Sequence, residues 1–321
     1  MRSLSEVAAL LRENDDFLLL SHRRPDGDTV GSCAALCLGL RAMGKRAAIY
    51  ANPQFTPKYA PLLEGLVAPA PRGGEALVSL DIASRGLLPF GMEDATVLLR
   101  IDHHATEVSF AVHTHVEPDK AACGEIVCAL LCELGVPLSR PIAEALYVAV
   151  STDTGCFRYS NVTPNTFRVA AACLAAGADA HGWNRRLFEV KRRARLELEA
   201  YLVKTTRFYA DGRVCVSRIP DAVMQSLGLT EDDVDDISGF GRCIEGVEIA
   251  VMLREAGQEG GKVSVRAGAP FDAARICARI GGGGHPGAGG ATVPGGIDAA
   301  EAAVLASLKE EPELNAWQTE F

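Results

Sequence analysis

Residues 17–32 read F-L-L-L-S-H-R-R-P-D-G-D-T-V-G-S, and they set the fold. Phe17 to Ser21 is a short apolar run, as expected of a buried strand. A helix follows over residues 29–43 and stops at Gly44, and residues 46–50 return to strand character. Between strand and helix, a single turn carries one imidazole, His22, and two carboxylates, Asp26 and Asp28.

The alternation continues outward from there. Residues 76–80 and 97–101 are apolar runs, each leading into a carboxylate, Asp81 and Asp102. Residues 111–116 alternate in the manner of an edge strand, and residues 121–134, 141–150 and 164–176 read as helices. This order predicts an α/β fold in which a mostly parallel N-terminal sheet carries helices on both faces. Strands at 213–219, 247–254 and 262–266, with helices at 221–227, 271–279 and 298–310, predict a smaller C-terminal α/β domain across a cleft. The expected boundaries are a first domain over 1–185, a linker helix over 186–205 and a second domain over 206–321. The linker holds a basic cluster of Arg186, Lys191, Arg192, Arg193 and Arg195, preceded by Arg185. It reads either as a solvated face or as a nucleic-acid patch. Residues 310–321 read as a loosely held tail.

Composition narrows the function. Hydrophobic residues make up 48% and charged residues 23%, as in ordinary globular chains, and no apolar run approaches membrane-spanning length. The first sixteen residues form an amphipathic acidic helix rather than a leader, so the expected location is cytoplasmic. The formal net charge of −9 argues against a protein that lives on long duplex DNA, and leaves small phosphorylated ligands open. None of the ten cysteines forms a C-x-x-C pair, so they read as small buried hydrophobes.

In open α/β sheets, ligands gather beyond the carboxyl ends of the strands. His22, Asp26 and Asp28, then Asp81, then Asp102, His103 and His104 all lie at such ends, and Asp153 in S-T-D-T-G can close the group. Carboxylates crowded in this way repel one another unless cations sit among them. Alone, Asp26-Gly27-Asp28 would be a capped turn, and His103-His104 a core pair. An EF-hand is excluded because the twelfth position from Asp26 is Cys37. The phosphate-loop likeness at residues 39–46 ends in Arg46 and follows a helix, and the glycines near 281 follow no first Rossmann strand. His113, His115 and His181 read as structural or surface residues.

Taken together, H-R-R-P-D-G-D at 22–28, S-L-D at 79–81, I-D-H-H at 101–104 and S-T-D-T-G at 151–155 resemble the metal-site motifs of the DHH phosphoesterases. V-S-V-R at 263–266 and G-G-G-G-H-P at 281–286 resemble the DHH-associated C-terminal domain. The length is similar to that of the nanoRNase and pAp-phosphatase (oligoribonuclease-like) branch. The Arg23-Arg24 pair departs from the smaller polar residue that many relatives carry before the proline.

The resemblance implies two divalent ions, Mn2+ first, with Mg2+ or Co2+ as alternatives. His22, Asp26 and Asp81 would hold one; Asp28, Asp81, His103 and Asp153 would hold the other. It implies that His104 faces the phosphate or leaving oxygen and that Asp102 orients a histidine. Arg266 and His285, with Gly283 and Gly284, would grip substrate phosphate. The implied reaction is two-metal water attack on short single-stranded RNA or on the 3′-phosphate of pAp. Alternatives are a single-strand exonuclease, a linear or cyclic dinucleotide phosphodiesterase, and a nucleotide-sensing module without turnover. No membrane partner is expected, and a homodimer stays open.

Overall fold

The computed structural model describes residues 1–321 except 69, 106–109, 235, 256, 258–259, 315–318 and 321. Part of the expected tail, 315–318 and 321, therefore lies outside the described residues. The chain divides into two compact units, Met1–Val190 and Lys191–Phe321.

In the first unit the described strands are β1 (Phe17–Leu20), β2 (Ala47–Tyr50), β3 (Val67–Ala68), β4 (Ala76–Leu80), β5 (Val97–Asp102) and β6 (Ala111–Val116). They form one sheet in the order β3-β2-β1-β4-β5-β6, and every pairing is parallel. The order reverses direction between β1 and β4, which makes that junction the topological switch point. The helices are α1 (Leu4–Glu13), α2 (Gly27–Ala42), α3 (Ala60–Leu63), α4 (Cys123–Glu133), α5 (Arg140–Asp153), α6 (Pro164–Ala175) and α7 (Ala180–Asn184). Local sequence explains their starts. Ser3 and Glu6 form a capping box on α1, the Asp26 carboxylate accepts from the amides of Asp28 and Thr29 on α2, and Thr163 caps α6 ahead of Pro164.

One face of the sheet, with Phe17, Leu19, Val78, Leu80, Leu99 and Ile101, packs on buried residues of α1, α2, α4 and α5. The opposite face differs from the expectation of helices on both sides. There Leu18 and Leu20 pack on Ile82, Leu88, Met92 and Phe110, from a stretch whose described regular structure is the short 3-10 turn Arg85–Leu87. The apolar residues that cover this face come from an irregular segment, without the 3.6 period that a covering helix would show.

The second unit holds α8 (Arg193–Thr205), β7 (Arg207–Tyr209), β8 (Val214–Ile219), α9 (Asp221–Ser226), β9 (Ile249–Glu255), β10 (Gly261–Ala267), α10 (Ala273–Ala278), β11 (Gly283–His285), β12 (Ala288–Val293), α11 (Gly296–Leu308) and β13 (Thr319–Glu320). Its described sheet runs β11-β12-β10-β9-β8-β7-β13 and is antiparallel except for β8 with β9. The glycine-rich stretch is thus a β-hairpin. Gly284 has φ 142°, and a Cβ there would stand 2.3 Å from the Ala288 carbonyl oxygen, so the close strand approach requires glycine. Helix α8 falls in the stretch expected to act as a linker; it buries Leu198 and Leu202 against Ile219, Val234, Ile237 and Met252. The basic residues at its start are largely engaged: Arg192 pairs with Asp233, Arg193 with Glu197, and Arg195 with Glu199 and Asp236.

Candidate active site

The carboxyl ends of β1, β4 and β5 are tied to one another by ordinary hydrogen bonds. Thr29 Oγ1 accepts the His22 amide at 3.3 Å and donates to the Leu80 carbonyl at 2.8 Å, which fastens the end of β1 to the end of β4. The Asp81 amide donates to the Ile101 carbonyl at 3.0 Å, which fastens β4 to β5. Asp81 itself has φ 60°, a left-handed conformation uncommon for a residue with a Cβ.

Helix packing brings in the remaining groups. Helices α2 and α5 meet so closely that a Cβ on Gly31 would lie 2.4 Å from the Ala145 carbonyl oxygen, and one on Gly27 would lie 2.4 Å from the Thr152 side chain. Asp28, in the first turn of α2, therefore comes near Asp153, the last residue of α5. Gly124 at the start of α4 closes the third side, its absent Cβ position being 2.6 Å from Ala149 Cβ. The α4 N-terminus holds Asp28 directly: Cys123 N donates to Oδ2 at 2.6 Å and Gly124 N to Oδ1 at 2.9 Å, with Ser32 Oγ donating at 3.1 Å.

Of the eight residues expected at this end of the sheet, seven meet around Asp81, and Asp102 stands behind them. His22 Nε2 lies 3.4 Å from Asp26 Oδ1 and 3.9 Å from Asp81 Oδ2. His103 Nε2 lies 3.4 Å from Asp81 Oδ1, 3.6 Å from Asp153 Oδ2 and 3.8 Å from Asp28 Oδ2. Among the described residues, three groups of donor atoms, each within 4.8 Å, could hold a metal ion: His22-Asp26-Asp81, Asp28-His103-Asp153 and Asp81-His103-His104. Asp81 Oδ1 is buried and accepts no hydrogen bond, so it is a lone pair taken out of water without a donor. A cation is the partner that suits it, and the mixed carboxylate and imidazole donors around it fit a divalent transition metal.

Charge states carry the same signature. Burial, and then the charges of Asp81 and Asp153, push the Asp28 carboxyl well up. Burial also raises Asp153 to about 7, with Asp26 and Asp81 adding to it. Asp26 is held at about 2 because the His22 charge and the amides of residues 28 and 29 outweigh the effect of burial. His103 rises to about 11: burial opposes this, but the nearby Asp81 carboxylate and then those of Asp28 and Asp153 prevail.

Asp102 lies just behind this cluster and is fully buried. Its Oδ1 accepts from His103 N at 2.7 Å, His104 N at 3.1 Å and the His104 ring Nδ1 at 2.8 Å. Its Oδ2 takes the guanidinium of Arg100, through Nε at 3.1 Å and through Nη2. Burial would raise its pKa, but His104 and then Arg100 hold it at about 2. Four contributors escaped the sequence reading. Arg100 is almost wholly buried, and a charge inside the apolar run L-L-R-I was the available signal. The Lys120 carbonyl accepts from His103 Nδ1 at 3.1 Å and so turns Nε2 toward the carboxylates; a backbone atom leaves no trace in sequence. The amides of Cys123 and Gly124 escaped for the same reason.

Arg23 is engaged elsewhere, with Nη2 3.0 Å from Glu93 Oε1 and its guanidinium 4.3 Å over the Phe90 ring, while Arg24 is exposed. His115 bonds the Arg2 carbonyl and Glu117, as expected of a structural residue. In the second unit, strand register pairs His285 with Ala288 and Ala288 with Arg266. Directly opposed residues share a face, so His285 and Arg266 flank the small Ala288 about 10 Å apart across three strands. Arg266 Nη2 donates to Ser238 Oγ at 2.9 Å, and His285 is exposed. Space is open above Gly283, whereas Gly284 is fixed by the hairpin.

Comparison with known proteins adds to this geometry. Residues 16–150 match the DHH family, N-terminal domain, and residues 211–311 match the DHHA1 domain. The chain is 34% identical over 315 residues to the bifunctional oligoribonuclease and PAP phosphatase NrnA of Thermus thermophilus, a match covering 97% of this chain and 94% of that protein. It is 24% identical over 295 residues to the protein of the same name in Bacillus subtilis, covering 90% and 93%. A solved structure of an exopolyphosphatase-related protein from Bacteroides fragilis overlays with a TM-score of 0.88 at 22% identity, covering 98% of this chain and 97% of that one; it speaks for the fold.

Proposed function

The chain belongs to the DHH family of phosphoesterases, and from that membership we propose that it hydrolyses short oligoribonucleotides to mononucleotides and removes the 3′-phosphate of pAp. The observation that carries this reading is the convergence on Asp81, whose buried Oδ1 has no hydrogen-bond donor while imidazoles approach both its oxygens. His22, Asp26 and Asp81 would hold one divalent ion, and Asp28, Asp81, His103 and Asp153 a second. Mn2+ suits this imidazole and carboxylate set better than Mg2+, and Co2+ is an alternative. When bound, such ions make water a stronger nucleophile near neutral pH and offset charge on the phosphoryl oxygens.

The protein's own groups do the rest. Asp102 accepts from His104 Nδ1 and favours the protonated ring, the form that can donate a proton from Nε2 to the leaving oxygen. Asp102 is a positioning residue; His104 is the group that would meet substrate. Arg266 and His285, beside Gly283 and Gly284, would hold a substrate phosphate on the face they share. The net charge of −9 fits short single strands and nucleotides rather than long duplexes.

The test offers Mn2+-loaded protein RNA dimers to pentamers, single-stranded DNA, linear and cyclic dinucleotides and pAp, with products separated by chromatography. RNA dimers and pAp should be the best substrates, and Asp81→Ala should abolish nearly all turnover. Wild-type rates from Asp81→Ala, or turnover confined to cyclic dinucleotides, would refute the assignment.

A further inference from the structure

The segment that follows Asp153 has an unusual build. Gly155, Cys156 and Phe157 take φ values of 55°, 57° and 62° in succession, and for the two residues with a Cβ this is sterically costly. The turn is held by its own bonds. Cys156 N donates to the Ser151 carbonyl at 2.6 Å, Phe157 N to Thr154 Oγ1 at 3.1 Å and Arg158 Nε to the Gly155 carbonyl at 2.6 Å. Asn161 Nδ2 then donates to the carbonyls of Asp153 and Ala121, at 3.1 Å each, which pins the returning chain against the metal-ligand cluster.

This turn places the Tyr159 ring flat against Gly155. A Cβ on Gly155 would stand 2.3–2.6 Å from the Tyr159 ring atoms Cζ, Cε1 and Cε2, so one ring face is backed by main chain. Yet 47% of Tyr159 remains exposed, and the neighbouring Arg158 is exposed too. Phe157 serves the interior instead, stacked 5.6 Å from Phe167 at an interplanar angle of 22° and packed on the core. Gly155 lies two residues from Asp153, so their Cα atoms are at most about 7.6 Å apart. A strained turn has thus been kept within a few residues of Asp153, and it carries a backed, half-exposed aromatic ring with an exposed Arg158 next in sequence.

We propose that Tyr159 is a stacking surface for a nucleobase of the substrate, with Arg158 beside it for the adjoining phosphate or base edge. The inference rests on the phosphoesterase reading and extends it to how the substrate's base is held. Every base has a π-face, so such a surface favours nucleotides over plain phosphates without selecting a sequence. That is the recognition a hydrolase of short RNA of mixed sequence requires.

The test compares full-length Mn2+-loaded wild type with Tyr159→Leu, which keeps bulk over Gly155 but has no π-face, and with Tyr159→Phe. The substrates are ApA and the same dinucleotide lacking its bases. Tyr159→Leu should raise KM for ApA by roughly 5- to 100-fold with little change in kcat. Tyr159→Phe should restore it, and KM for the abasic dinucleotide should not respond. An unchanged KM for ApA, an equal rise for the abasic substrate, or failure of the Phe variant to restore would each overturn the proposal. If the Leu variant does not fold, Tyr159→Ser takes its place. Quenching of a 2-aminopurine dinucleotide on binding reads the same contact without turnover. A wild type that quenches but cleaves nothing would count against the phosphoesterase reading alone, and a wild type that cleaves ApA without a Tyr159-dependent quench would count against the stacking surface alone.

Discussion

Replacing Asp102 by asparagine separates two roles that meet in one carboxylate. Asp102 is fully buried; Oδ1 faces three donors from His103 and His104, and Oδ2 faces the Arg100 guanidinium. Asparagine has the same shape, but one end of it is an NH2 group. If its oxygen faces the histidines, the NH2 meets Arg100; if it faces Arg100, the NH2 meets two amides and an imidazole. Either way, donors oppose donors in a dry site, and Arg100 loses its counter-charge. Breaking a buried pair in this way costs about 3–5 kcal/mol.

The charge state of Asp102 gives an independent figure. Its pKa falls from 3.8 to about 2, so the folded state favours the carboxylate by about 2 kcal/mol at neutral pH. Because the folded value is depressed, this stabilisation is present above about pH 4 and is lost as pH falls toward 2. Urea titration at pH 7 should show Asp102→Asn destabilised by several kcal/mol, with the gap narrowing in acid. Turnover should fall by about 10²–10⁴-fold as His104 loses its charged acceptor. Adding Arg100→Leu removes the stranded cation, so the double variant should regain stability while turnover stays low. Full activity in Asp102→Asn, or recovery of turnover in step with stability in the double variant, would show that the bond to His104 does not matter to the reaction.

Other expectations can be checked as directly. Gly31→Ala should cost about 1–3 kcal/mol in a denaturant titration and weaken Mn2+ binding, because the added methyl meets the Ala145 carbonyl and drives α2 from α5; an unperturbed variant would contradict the packing described. Asp153, raised to about 7, is more protonated at pH 6 than at pH 8, so calorimetry in buffers of different ionisation enthalpy should find more protons released by Mn2+ at the lower pH. Burial lifts Cys37, Cys128, Cys215 and Cys277 to about 11 and Cys173 to about 12. Iodoacetamide at pH 8 should therefore label the exposed Cys132 and Cys243 and spare those five, as mass spectrometry would show.

Much of the site was legible because its residues sit where local pattern is strongest. An apolar run that ends in a carboxylate marks both a buried strand and the side from which its last side chain leaves, so Asp81 and Asp102 could be placed on one edge before any coordinates. The covering of the second sheet face was not legible, since Ile82, Leu88, Met92 and Phe110 follow no period. The hairpin in the glycine run was missed for a related reason: glycine lacks the β-branched signature of strands, and here it is needed because neighbouring main chains approach too closely for a Cβ.

The sequence by itself determined the alternation of the main strands and helices in the first unit, the residues at the strand ends and the chemical kinds of donor offered there. These follow from periodicity and from side-chain type, both carried by near neighbours in the chain. Only the tertiary structure decided which donors share an ion-sized space, that Asp102 serves His104 through a carboxylate anchored by Arg100, and that Tyr159 lies on Gly155. Those depend on the close contact of α2, α4 and α5 and on main-chain carbonyls and amides, which every residue carries and no sequence distinguishes.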